Sequence, residues 1–302
     1  MSLLDKFQQV GEQRAQLGDA DPSKVIIEKI LSPTEAQIGG RHTILAGTNN
    51  YLGLTFDPEC IAAGQSALAE SGTGTSGSRM AYGNYSGHLA LEAELADYYG
   101  YPYAMVFSTG YSANLGTMLA LLGPDDAVML DADAHASLYD GAAMSPASVY
   151  RFKHNDPESL DKRLGRLKDK ASQALVVIEG IYSVIGDRAP LKEFIEVKDK
   201  HGALLLVDEA HSLGVLGATG RGLVEETDTL DQVDFVVGTF SKSLASTGGC
   251  CVSRHEELGL FKFASRPYVF TASPCPSVIA TTRQALRHLR EHPEIIAKLW
   301  HN

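Results

Sequence analysis

The chain is poor in the residues that staple, span or steer toward polyanions. Cysteine is scarce, with four in 302 residues (Cys60, Cys250, Cys251, Cys275). None falls in a CxxC pair, and the adjacent Cys250 and Cys251 make a poor disulfide. A disulfide framework is therefore excluded, and a reducing cytoplasm is the economical location. Apolar runs are short, none approaching the ~18 residues of a spanning helix. Met1 to Val10 carry acidic and amide residues where a signal peptide keeps a clean apolar stretch. Basic residues number 26 against 37 acidic ones, a formal charge of -11, so neither nucleic acid nor an anionic membrane is an expected partner. HExxH, Cys/His ligand spacing and a GxSxG elbow are all missing, which leaves no metal centre and no serine hydrolase to argue for.

What is there is a globular chain, 44% hydrophobic with 29 glycines. Leu3, Phe7, Val10 and Leu17 fall on one helical stripe, an arm to be laid on its own domain or on a partner subunit. Pro33 and Gly39-Gly40 interrupt this pattern ahead of the main body. From about residue 100, short apolar runs alternate with stretches of helical length. The expected strands are 104–107, 127–131, 149–152, 174–179, 203–208, 235–238 and 249–253. Segments 113–122, 158–167 and 191–201 read as helices between them. Strands apolar on both faces and alternating with helices imply an α/β fold, a mostly parallel seven-stranded sheet covered on both sides. A helix over 277–291 then reads as the opening of another domain. The resulting division is an N-terminal arm over 1–45, a large domain over 46–273, and the start of a C-terminal small domain over 274–302.

Ligands of such sheets bind beyond the carboxyl ends of the strands, so polar residues there carry the information. Five strand ends do so: Ser108-Thr109-Gly110-Tyr111, Asp133-x-His135, Glu179-Gly180-x-Tyr182-Ser183, Asp208-Glu209-Ala210-His211 and Thr239-x-Ser241-Lys242. Gly72 to Gly77 match GxGxxG, but a helical segment precedes them where a dinucleotide site needs a strand, so they read as a loop, with Arg79 as an anion contact. Asp208 at one strand end and Lys242 at the next, flanked by small hydroxyls, suit pyridoxal 5'-phosphate (PLP). The lysine can form a Schiff base and the carboxylate can keep the ring nitrogen protonated. Its phosphate would find free N–H groups where Ser108-Thr109-Gly110-Tyr111 opens a helix, and hydroxyls at Thr239 and Ser241. An imidazole at His135 could stack on a planar ring.

These residues resemble the α-oxoamine synthases, PLP enzymes of the aspartate-aminotransferase fold type I. The resemblance is carried by Asn49-Asn50-Tyr51-Leu52-Gly53, Gly77-Ser78-Arg79, Phe107 to Tyr111, Asp208 to Ser212 and Gly238 to Lys242. Closer similarity to the bacterial members that act on serine lies in Asp131 to Gly141, Asp161 to Gly165 and Arg266 to Ser273. The resemblance implies that Lys242 holds PLP and removes the substrate α-proton, and that Asp208 pairs with the pyridinium nitrogen. It assigns His211 and Ser183 to the ring hydroxyl, and His135 to the ring face. Gly110, Tyr111, Thr239 and Ser241 would hold the phosphate. It places Asn50 where substrate is oriented, and a homodimer would share its sites, Thr271 reaching the partner's phosphate. The implied reaction is a decarboxylating Claisen condensation of an amino acid, L-serine, with a long-chain acyl-CoA. The rival expectations are glycine or alanine with a shorter acyl-CoA, and a non-catalytic subunit or fragment. Family members continue into a small domain whose arginine clamps the amino-acid carboxylate, a role no residue here fills. The segment Met80 to His88 also departs from those serine-using enzymes. No integral membrane segment is expected, and peripheral membrane contact stays open.

Overall fold

The computed structural model describes residues 2–18 and 21–302. The chain divides into two compact units, residues 1–48 and 49–302. The first holds helix α1 (Lys6–Gln16) and an antiparallel meander of β1 (Ile27–Ser32), β2 (Glu35–Ile38) and β3 (Arg41–Ile44). Helix α1 buries none of its residues, and Leu3, Phe7, Val10 and Leu17 are exposed. Gly39 and Gly40, expected only to break a pattern, are the two-residue turn between β2 and β3, both at positive φ. Paired positive φ values match the right-handed twist of a hairpin, which explains two consecutive glycines.

The second unit is built on a seven-stranded sheet. In chain order its strands are β4 (Tyr103–Phe107), β5 (Ala127–Asp131), β6 (Ser148–Phe152), β7 (Ala174–Glu179), β8 (Leu204–Asp208), β9 (Phe235–Thr239) and β10 (Gly249–Ser253). Their spatial order is β4-β10-β9-β8-β7-β5-β6, and β10 alone runs against the others. All seven expected strands form, with ends shifted by at most one residue. The period-2 alternation sends Val176 and Ile178 into one core and Leu175 and Val177 into the other. Each fully buried side chain of this kind contributes roughly 1.5–3 kcal/mol. Cys250 and Cys251 likewise point to opposite cores, and all four thiols are free.

The first face is covered by α3 (Ser86–Tyr99), α6 (Pro157–Leu167), α7 (Leu191–His201) and α11 (Pro276–Glu291). The second is covered by α4 (Gly110–Leu121), α5 (Ala136–Met144) and α9 (Leu258–Ala264). Helix α2 (Pro58–Ser71), which precedes the GxGxxG match, packs on α11. Helix α11 also packs on α3 and buries Ile279, Leu286 and Leu289 in the first core. Two short helices, α8 (Leu223–Glu226) and α10 (Arg266–Val269), and the terminal α12 (Glu294–His301) complete the unit. Among the described residues no helix is long and apolar enough to cross a membrane.

Candidate active site

The carboxyl ends of β4, β5, β7, β8 and β9 lie along one edge of the sheet and surround a cavity of about 260 Å³. Lys242, Asp208, His135, His211, Thr239 and Ser241 all line it, with Gly110 and Tyr111 at the start of α4.

Local chemistry explains the placement of each. Asp208 is buried at the end of β8. Its Oδ1 accepts the Ala210 N–H at 2.9 Å, and its Oδ2 accepts from Asn114 Nδ2 at 2.7 Å. Asn114 also donates to Ser137 Oγ at 2.9 Å, which leaves the Ser137 hydroxyl to donate to His135 Nδ1 at 2.7 Å. The His135 backbone N–H donates to Glu179 Oε1 at 2.5 Å. One buried network thus runs from the floor carboxylate to the imidazole at the rim, and it gives His135 its proton on Nε2. Burial and the neighbouring Asp208 charge push the Glu179 carboxyl upward.

Lys242 sits on the loop between β9 and β10. Phe240, wholly buried, packs on Gly248, where a side chain would strike its ring, and the two share a backbone hydrogen bond. This fixes the loop while leaving Lys242 half-buried. Desolvation lowers its pKa, against the opposing carboxylates of Asp208 and Glu179. His211 is held down to about 4 by burial and by the Lys242 charge, so it is neutral. Its Nδ1 meets the Tyr51 hydroxyl at 2.7 Å, and burial raises that phenol's pKa. The phenol therefore donates, which leaves a proton on His211 Nε2.

Helix α4 starts against the sheet edge. Thr109 caps it, accepting from the Ser112 N–H at 3.0 Å. A Cβ on Gly110 would lie 2.8 Å from Thr239 Cβ, so only glycine lets the helix terminus approach this closely. The N–H groups of Gly110 and Tyr111 have no helical acceptor at that position.

Four expected residues are not brought to this cleft. Arg79 is buried, with Nη2 2.9 Å from Glu92, Nε donating to Asn84 and Nη1 to the Val106 carbonyl. Its charge is compensated inside the fold, which corrects the reading of Arg79 as an anion contact. The Asn50 amide donates to Thr55 Oγ1 at 2.7 Å, and its neighbour Tyr51 is the residue that reaches His211. Ser183 lines an adjoining, mainly apolar cavity of about 410 Å³ together with Tyr51, His211 and Trp300. Thr271 lies on a segment anchored to Ser108 and Gly77, outside the cleft lining. Asn114 and Ser137 escaped the sequence reading, although an amide inside the otherwise apolar 113–122 segment was a usable signal.

The family model for aminotransferase class I and II matches residues 41–302. Serine palmitoyltransferase of Caulobacter vibrioides (strain NA1000 / CB15N) is 54% identical over 304 residues, covering 100% of this chain and 75% of that protein. The chain belongs to the class I and II aminotransferases, in their serine palmitoyltransferase branch. Among solved members, serine palmitoyltransferase of Sphingomonas wittichii superposes with a TM-score of 0.96 at 52% identity, over 100% of this chain and 76% of that one. A lysine-to-alanine variant of the S. paucimobilis serine palmitoyltransferase, with bound PLP–myriocin, matches with a TM-score of 0.96 at 50% identity and the same coverage.

The residues of this serine palmitoyltransferase family member fit PLP. The cleft pairs a half-buried lysine with a buried carboxylate whose two hydrogen bonds leave lone pairs for a ring N–H. Free N–H groups at a helix start and two hydroxyls, Thr239 and Ser241, suit a phosphate. Asn114 Oδ1, buried and without a partner, is a further polar atom in the cleft lining.

Proposed function

We propose that the chain is a PLP-dependent acyltransferase. It condenses L-serine with a long-chain acyl-CoA, releasing CO2 and CoA and giving a 3-keto sphingoid base. The observation that carries this reading is the convergence of Lys242, Asp208, His135 and His211 on one cleft in a chain 54% identical to a serine palmitoyltransferase.

PLP, when bound, supplies a carbonyl for an amine and a ring that accepts electrons. Lys242 holds it and, with its pKa lowered by burial, takes the α-proton of the amino acid. Asp208 keeps a proton on the ring nitrogen. His135 offers its imidazole to the ring face, while the neutral His211 hydrogen-bonds the ring hydroxyl. Gly110 and Tyr111 give backbone N–H groups, and Thr239 and Ser241 hydroxyls, to the phosphate.

The enzyme works as a homodimer in the cytoplasm, Thr271 of each protomer reaching its partner's phosphate and the stripe Leu3, Phe7, Val10 and Leu17 adding apolar contact. The exposure of that stripe and the four free thiols support these assignments.

The test is product analysis with serine, glycine and alanine against acyl-CoAs of several lengths, alongside borohydride reduction and peptide mapping. Serine with long chains should give product, and reduced PLP should map to Lys242. The Lys242→Ala chain should lose turnover to background while keeping its fold. Product from short chains alone would overturn the substrate assignment, and an adduct on another lysine would overturn the site.

A further inference from the structure

One charged cluster outside the cleft is not used by the reaction. It lies where β5, β6 and β7 end. His154, two residues past β6, places Nδ1 2.8 Å from Asp131 Oδ1 and Nε2 2.9 Å from Asp187 Oδ2, with Asp133 Oδ2 3.7 Å from Nδ1. Ionised carboxylates only accept, and a neutral imidazole has a single N–H. Two ring nitrogens that both face carboxylates therefore need a ring carrying both protons. Burial alone would lower the His154 pKa, but Asp131 and Asp187 outweigh it and raise the value above the ordinary one. The titratable groups facing the ring are Asp131 from β5, Asp133 from the following loop, and Asp187 and Tyr182 from the loop after β7. The Tyr182 ring stands edge-on at 4.4 Å and its phenol is pushed upward by burial.

The cluster joins two loops that serve the cleft. Asp131 ends β5, accepts the Asp133 N–H at 2.9 Å, and so shapes the loop that leads to His135. Asp187 closes the loop that carries Ser183, its carbonyl accepting the Tyr182 N–H at 3.0 Å. Asn155, at φ +48, spans the same gap. Its N–H donates to Asp131 Oδ2 and its amide to Asp187 Oδ2. A non-glycine residue held at positive φ points to a turn kept for its contacts.

We infer that His154 is a positioning residue: as an imidazolium it clamps the His135 loop to the Ser183 loop across three strand ends and so sets the shape of the PLP-binding edge. This rests on the proposed PLP site. The clamp is complete below the ordinary histidine value of about 6.5 and is lost as pH rises through the higher folded value.

The test joins ¹⁵N-histidine NMR on the full chain, with and without PLP, to PLP retention across pH. His154 should keep both ring protons up to the ordinary value of about 6.5 and release one only above it. His154→Gln should weaken PLP retention about tenfold at pH 6. The deficit should fade at alkaline pH, where the wild-type ring is neutral. A ring already neutral below its ordinary value overturns the clamp, as does a His154→Gln chain that loses thermal stability but retains PLP like the wild type at every pH. Should that variant not fold, Asp187→Asn serves instead: it should lower the His154 pKa and weaken PLP retention, and no change in either overturns the inference. Zinc ions that shift the His154 resonances would overturn it too. Failure of the wild type to bind PLP would count against the proposed function, while the NMR result still judges the clamp.

Discussion

Asp208 and Glu209 are consecutive carboxylates at the end of β8, yet their surroundings differ completely. Asp208 lines the cleft and takes two donors, Asn114 and the Ala210 N–H. Glu209 turns away into the fold and takes the Leu223 and Val224 N–H groups at 3.0 and 2.9 Å together with the Ser212 hydroxyl. An ionised carboxylate has about four acceptor positions. Asp208 keeps some of these open toward a ligand, while Glu209 is committed to tethering α8 and the loop before it. Being buried and charged does not distinguish a chemical residue from a structural one; an unfilled hydrogen-bonding capacity that opens onto a cavity does.

The sharpest way to test that contrast is Asp208→Asn. The amide preserves the size and one of the two hydrogen bonds but cannot hold a ring proton, so turnover should fall at least about a hundredfold while thermal unfolding moves by only a few degrees. Near-normal steady-state turnover would break the contrast. Next comes the packing around Glu209. A Cβ on Gly180 would lie 2.2 Å from Glu209 Oε2 and 2.5 Å from Ser212 Oγ. Gly180→Ala should therefore cost about 1–3 kcal/mol in urea unfolding, through overpacking. The smallest effect concerns pH. Burial raises the Glu209 pKa from 4.5 to about 7, although its hydrogen bonds pull the other way. Between those values the folded chain keeps a proton that the unfolded chain has released, so stability falls as pH rises from 4.5 to 7. Glu209→Gln, which cannot titrate, should flatten that slope in urea midpoints measured at pH 5 and pH 7.

The sheet was legible because buried parallel strands are continuous apolar runs that stop at polar residues, and those stops are where ligands bind. Lys242, Asp208, His135 and His211 followed directly from it. Asn114 did not, since its partner Asp208 lies 94 residues away and no local pattern encodes such a pairing. Arg79 was misread for a related reason: Glu92, which neutralises it, sits on α3 a full turn and a half beyond the loop, and a loop arginine looks free until the fold supplies its partner. Gly39-Gly40 stands between strands of only four residues each, too short to leave an apolar signature, so a hairpin looked like an interruption.

Cys250 and Cys251 occupy neighbouring positions on β10, yet the two sulfurs face opposite sides of the sheet. Burial pushes both thiols upward, Cys251 to about 12, so neither offers a thiolate to an alkylating reagent while the sheet is closed. β10 is also an interior strand, paired with β4 on one side and β9 on the other. Labelling at either cysteine must wait for a layer of helices to lift or for the sheet itself to part. The two neighbouring residues thus form a pair of clocks, one reading the opening of each face, with the half-buried Cys275 as the fast reference in the same chain.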